Sequence, residues 1–249
     1  MKTASWIVCL WLSLMLLAVD NGFTEEGGLS PHQKGEIQKI IQEYLISHPE
    51  IILESVQRYR EKQEAERREQ GANNLQARRQ DLELDPSSPV VGNPNGDVTI
   101  VEFFDYNCGY CKLVLVTVQE LLSEDRGVRL VLKEYPILSD GSEFAARAAL
   151  AAREQGRYFD FHNSLMRRSG QINKEEVLEV ATQVGLDLNQ LQSDLSSSNV
   201  TRQIEENREL AQSLNINGTP TFVIGDTILP GAVDGEILRS LIASVRNGG

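Results

Sequence analysis

Cys108 and Cys111 flank the dipeptide Gly109-Tyr110 where a strand-like run, Val98 to Tyr106, passes into a helix-like run, Lys112 to Leu122. At i and i+3 across a helix start, two thiols fall within the roughly 4.4–6.8 Å Cα separation that a disulfide tolerates, so the pair can open and close without refolding the chain. A thiol in the first helical turn also faces unpaired backbone N–H groups and the positive end of the helix dipole, which favour its thiolate. Cys108 is therefore the expected nucleophile, an exposed and partly ionised sulfur at a helix mouth. Cys111, one turn deeper, is the expected resolving thiol.

A second signal is Thr219-Pro220, about 110 residues further on and just ahead of a strand-like run, where a proline without a donor N–H continues neither helix nor ladder well and suits a cis bond in a tight turn. A structural zinc site needs about four ligands. No second cysteine pair exists and His32, His48 and His162 are scattered, so no metal site is expected. Two thiolates can hold soft Cu(I), and a copper-binding role stays open beside redox chemistry, as does an inert structural disulfide. His162, in Arg157-Tyr-Phe-Asp-Phe-His-Asn163, reads as a packing residue of a helix and not as a catalytic base. Asn199-Val-Thr201 reads as a helix-cap region.

The elements around these residues follow from pattern and charge. Lys2 followed by an apolar stretch from Ala4 to Val19 reads as a signal peptide over residues 1–22, shorter than a membrane span needs. Its removal takes away Cys9 and leaves one cysteine pair, which is no structural scaffold for a chain of this size. The net charge of −12 offers no basic patch and argues against a nucleic-acid partner. Residues 30–85 are charged and helix-favouring, with helices expected over 32–46 and 48–80, and with Ser47 and Glu50 as a capping box between them. Their stripes Ile37, Ile40, Ile41, Tyr44, Leu45 and Ile51, Ile52, Val56, Tyr59 need a partner surface, and self-association is the expected one. Turn residues over 85–96 mark a boundary, so a second domain is expected over 86–249. Strands are expected over 98–104 and 128–134, helices over 108–122, 142–155, 157–168, 173–184, 199–214 and 233–246, and a hairpin around Gly225-Asp226. That order fits a parallel strand pair extended by an antiparallel edge, with a helical insertion over about 141–214.

A C-x-x-C beside a βαβ pattern is a thioredoxin-like signal. The stretches Val101-Glu-Phe-Phe-Asp-Tyr-Asn-Cys-Gly-Tyr-Cys-Lys112, Lys133-Glu-Tyr-Pro-Ile-Leu138 with Ser142-Glu-Phe-Ala-Ala-Arg147, and Gly218-Thr-Pro-Thr-Phe222 together resemble the DsbA-like periplasmic thiol–disulfide oxidoreductases. The helical leader resembles that of the ScsC-like subgroup, some members of which trimerise through it and act as isomerases. The resemblance implies an α/β, thioredoxin-like fold with a helical insertion behind an N-terminal α-helical segment, and a homo-oligomer such as a trimer. It implies a redox-active Cys108–Cys111 disulfide and no cofactor. Substrate would bind along Gly109, Tyr110, Thr219 and Pro220, and Glu102 would be a buried acid that moves the Cys111 proton. Lys133 is a candidate to neutralise Glu102. The implied partners are unfolded or misoxidised exported proteins and a membrane thiol-redox partner, either a DsbD-like reductant or a DsbB-like oxidant. Gly109-Tyr110 departs from the strong oxidases, which carry a cationic histidine there. With Thr219, it favours an isomerase over a dithiol oxidase.

Overall fold

The computed structural model describes residues 29–248, so the expected signal peptide and Cys9 lie outside the described residues. The chain divides at Glu61 into two compact units.

In the first unit, helix α1 (Pro31–Ser47) starts at a capping box in which Ser30 and Gln33 satisfy each other's backbone N–H. It buries none of its own residues. Helix α2 (Pro49–Ala77) follows after His48. The capping box expected from Ser47 and Glu50 does not form: Pro49 occupies the first helical position, and Ser47 Oγ donates back to the Glu43 carbonyl at 2.6 Å. A proline restricts the residue before it to non-helical backbone, so His48 takes the break, with φ −130° and ψ 64°. Ile40, Ile41, Tyr44, Ile46, Ile52, Leu53, Val56 and Tyr59 remain exposed.

The second unit is built on a five-stranded sheet, β1 (Val90–Gly92), β2 (Val98–Phe104), β3 (Val128–Glu134), β4 (Thr221–Ile224) and β5 (Thr227–Pro230), in the order β1-β3-β2-β4-β5. The central pair β2 and β3 is parallel and every other neighbour antiparallel. Helix α4 (Gly109–Glu124) makes the crossover between β2 and β3. The insertion between β3 and β4 carries α5 (Asp140–Glu154), α6 (Tyr158–Met166), α7 (Lys174–Gln183), α8 (Leu188–Asp194) and α9 (Ser198–Ser213), and α10 (Gly235–Arg246) closes the chain. A two-residue turn through Gly225, at φ 55°, joins β4 to β5 where the sequence places the hairpin.

Both faces of the sheet are buried, which is why the strands read as continuous apolar runs. Ile100, Phe104, Leu130, Leu132 and Phe222 face a core shared with α4, α5, α6 and α10. Val101, Phe103, Val131 and Val223 face a smaller core that takes in Leu75 of α2, Leu82 of α3 (Arg79–Glu83), Leu210 of α9 and Leu214 at its C-terminal cap. The compact unit therefore begins before the boundary expected at residue 86. Leu75 and Leu82 are separated by charged residues, and their shared burial is visible only once the sheet supplies the surface.

Candidate redox site

Cys108, the expected nucleophile, is placed by the turn that leaves β2. Cys108 N donates to the Asp105 carbonyl at 3.1 Å, and Asn107 N to Asp105 Oδ1 at 2.7 Å. The other Asp105 oxygen accepts Ile137 N at 2.9 Å and Leu138 N at 3.1 Å, so one buried carboxylate joins the cysteine turn to the segment after β3. Asn107 ties the same turn to the insertion, through Ser139 Oγ and both backbone groups of Ile172. Sequence reasoning passed over Asp105 and Asn107, although an Asx pair just ahead of a helix start is a turn signal.

Cys108 is the N-cap of α4, and its sulfur accepts the Cys111 N–H at 3.4 Å. The same sulfur lies 3.1 Å from the Thr219 carbonyl oxygen, and the Thr219–Pro220 bond is cis. The two distant motifs are thus one site. One expectation is corrected: Cys108 is not openly exposed but 6 % accessible, because the Thr219 loop lies against it, whereas Cys111 is fully covered at 0 %. Gly109 and Tyr110 are exposed, and a Cβ at Gly109 meets nothing within 4 Å. Tyr110, Leu113 and Val116, at helical spacing along α4, and Ile137 and Leu138 on the segment held by Asp105 are exposed apolar residues.

The surroundings drive the two thiols apart. The Cys111 thiol's hydrogen bond lowers the Cys108 pKa, burial opposes it, and the Thr219 side chain and the Cys111 and Tyr110 backbone amides bring it to about 6. Burial pushes Cys111 far up, and its hydrogen bond to Cys108 adds to the shift. The shifts favour the thiolate at Cys108 and the protonated thiol at Cys111, a pairing suited to thiol–disulfide exchange.

Glu102 projects from β2 to the side of the sheet that carries α4 and is 5 % exposed. Burial raises its pKa to about 8, with the Cys108 charge adding to the effect. Lys133 does not neutralise it. The parallel register pairs Phe103 with Lys133 and Glu102 with Leu132, which puts the lysine on the opposite face, because successive side chains alternate. There its ammonium donates to Asp85 Oδ2 at 3.0 Å and the Asp81 carbonyl at 2.8 Å. His162 packs inside α6 as expected, its ring against Phe104 and Tyr158. Among the described residues no group of three or more His, Cys, Asp or Glu is placed to hold a metal ion.

Residues 99–243 match the family described as DSBA-like thioredoxin domain. The chain belongs to that family. Residues 33–66 match a second description, the copper resistance protein ScsC N-terminal domain. Among solved structures, this DSBA-like chain is similar to a thioredoxin-like oxidoreductase from Silicibacter pomeroyi DSS-3, at 51 % identity and a TM-score of 0.67, covering 69 % of this chain and 99 % of that one. It is also similar to a linker-deletion mutant of Proteus mirabilis ScsC, at 26 % identity and a TM-score of 0.67, covering 88 % and 97 %. Of curated proteins, the Na(+)/H(+) antiporter NhaA 1 of Salinispora arenicola is 29 % identical over 164 residues, which are 65 % of this DSBA-like chain and 25 % of the antiporter. The chain thus spans about a quarter of the length of the curated relatives it matches first. Among its described residues no helix is long and apolar enough to cross a membrane.

Proposed function

We propose that this DSBA-like chain is a periplasmic thiol–disulfide oxidoreductase, delivered by its signal peptide, that acts as a disulfide isomerase on misoxidised exported proteins. The observation that carries the reading is the Cys108 sulfur held 3.1 Å from the Thr219 carbonyl and 3.4 Å from the Cys111 amide. The Cys108 thiolate attacks one sulfur of a substrate disulfide: that bond breaks, a Cys108–substrate disulfide forms, and the other substrate sulfur leaves as a thiolate and takes up a proton. If a second substrate thiolate attacks the substrate sulfur of this mixed disulfide, a rearranged substrate disulfide forms and Cys108 leaves as the thiolate. If instead Cys111 gives its proton to the Glu102 carboxylate and attacks Cys108, the substrate leaves reduced and the Cys108–Cys111 disulfide closes.

Glu102 and Cys108 share one negative charge in this cycle. While Cys108 is a thiolate its charge helps Glu102 keep a proton. Once Cys108 enters the mixed disulfide that charge is gone, and Glu102 ionises more readily when Cys111 needs a base. Exposed Gly109 and Tyr110 and the exposed apolar residues of α4 and of the segment after β3 are suited to a partly folded polypeptide, to which the half-buried Thr219 and the buried Pro220 would offer backbone groups. The absence of a cation between the cysteines favours a reduction potential between that of a strong oxidase such as DsbA, about −120 mV, and that of thioredoxin, about −270 mV.

The isomerase direction is further supported by the leader. A 17-residue α1 with no buried residue, beside a cleft of about 610 Å³ lined by Ile41, Leu45, Ile46 and Ile52, is marginal alone and suits a second and third copy of the chain. An oligomer sets catalytic sites around shared substrate and hinders an oxidising membrane partner of the DsbB type, leaving a DsbD-like reductant to keep Cys108 reduced. Refolding of scrambled ribonuclease by the reduced protein, with and without residues before 62, tests the reading. Recovery of activity that falls on removing the leader is expected, and dithiol oxidation without reshuffling makes the chain an oxidase. The copper reading draws on the paired sulfurs and on the family description matched by residues 33–66. Nanomolar Cu(I) binding without exchange activity would establish it instead.

A further inference from the structure

Behind the redox centre lies a second buried carboxyl that the exchange chemistry does not use. The ladder pairs Phe104 with Glu134 as it pairs Glu102 with Leu132, so the two acids are diagonal neighbours on one face of the sheet. Glu134 is 1 % exposed. Its Oε1 accepts the phenolic O–H of Tyr106 at 2.9 Å and that of Tyr158 at 2.7 Å, and its Oε2 is buried without a hydrogen-bond partner. The Tyr106 oxygen lies 3.1 Å from His162 Nδ1.

Such an arrangement is expensive, since a buried polar atom left unpaired gives up its hydration with nothing in exchange. A carboxyl kept at that cost calls for a role, and its connections supply one. Tyr106 belongs to the four-residue turn closed by Cys108 N on the Asp105 carbonyl, two residues before the nucleophile. Tyr158 grips the same oxygen from α6 but has no part in that turn.

We propose that Glu134 is a positioning residue of the redox centre: it holds the Tyr106 phenol so that the turn seats the Cys108 sulfur against the Cys111 amide and the Thr219 loop. Among the groups stabilising the Cys108 thiolate, the Cys111 and Tyr110 backbone amides are hydrogen-bond donors of fixed direction, so a turn that swings loses them while the fold persists. The inference rests on Cys108 being the nucleophile proposed above.

The two tyrosines make the test. In the reduced full-length protein, Cys108 alkylation by iodoacetamide is followed against pH by peptide mass, together with the equilibrium with glutathione and the melting temperature. Y106F and E134A are expected to slow Cys108 alkylation at pH 6 by about threefold or more and to move the glutathione equilibrium toward the disulfide. E134Q, which keeps an acceptor oxygen for Tyr106, is expected to restore both. Y158F loses an equivalent buried hydroxyl and is expected to lower the melting temperature as Y106F does while leaving the titration unchanged. If E134A fails to fold, the Y106F and Y158F pair still decides. Unchanged Cys108 titration in Y106F, or an equal shift in Y158F, overturns the proposal. A wild-type Cys108 that does not titrate in the acid range instead overturns the nucleophile assignment itself.

Discussion

Cys108 and Cys111 are the same chemical group, made unlike by one turn of helix. The first collects donors at a helix mouth and the second is fully buried in the first turn of α4. Replacing Cys108 with serine is expected to abolish disulfide exchange, while C111S accumulates mixed disulfides visible on non-reducing gels. Alkylation of wild-type Cys108 is expected to titrate near pH 6, the thiolate being present above that value and lost as pH falls through it. Glu102 has the opposite sense. Its carboxyl shifts from the ordinary 4.5 to about 8 in the fold, so between those values the folded chain holds a proton that the unfolded chain releases. Stability therefore falls as pH rises from about 4.5 to about 8, by several kcal/mol at most. E102Q is expected to flatten that slope in urea titrations and to slow resolution of mixed disulfides by about tenfold to a hundredfold or more.

At the scale of elements, the segment 75–85 behaves as part of the catalytic unit. Leu75 and Leu82 close the smaller core, and Asp85 holds the ammonium of Lys133, which is 1 % exposed. Burial works against the Asp85 carboxylate, yet hydrogen bonds from Ser87 and Ser88 and the Lys133 charge bring its pKa down to about 2. A chain beginning at residue 62 is expected to melt like the intact protein. One beginning at Pro86 loses two core leucines and strands a buried cation, a loss of about 3–5 kcal/mol for the unpaired charge alone. K133M is expected to recover part of that loss in thermal melts of the shorter chain. Strand β1 is legible only in retrospect: Val90-Val91-Gly92 sits among prolines, serines and asparagines, and its antiparallel pairing with β3 makes it a strand. Helix α8 is similarly short and was hidden by polar residues.

For the whole molecule, the question is what covers the apolar leader. Fully burying a large aliphatic or aromatic side chain contributes about 1.5–3 kcal/mol, and α1 and the first turns of α2 leave eight or more of them in water. Light scattering on the mature protein is expected to give an oligomer, and removing residues before 62 a monomer. A monomeric intact protein would show that the leader serves another partner.

Sequence alone determined the central strands, the crossover helix, the hairpin and the two redox motifs. Each is written in local terms: an unbroken apolar run, a C-x-x-C at a helix start, a proline ahead of a strand. Tertiary structure decided everything that depends on which face a residue occupies. Period-two alternation with a fixed parallel register sends Lys133 away from Glu102 and brings Glu134 beside it. The cover that the Thr219 loop places over Cys108, and the partners of Asp105 and Asn107, come from chain segments tens of residues or more away. No spacing rule encodes such contacts, because they exist only when sheet, insertion and loop are packed together.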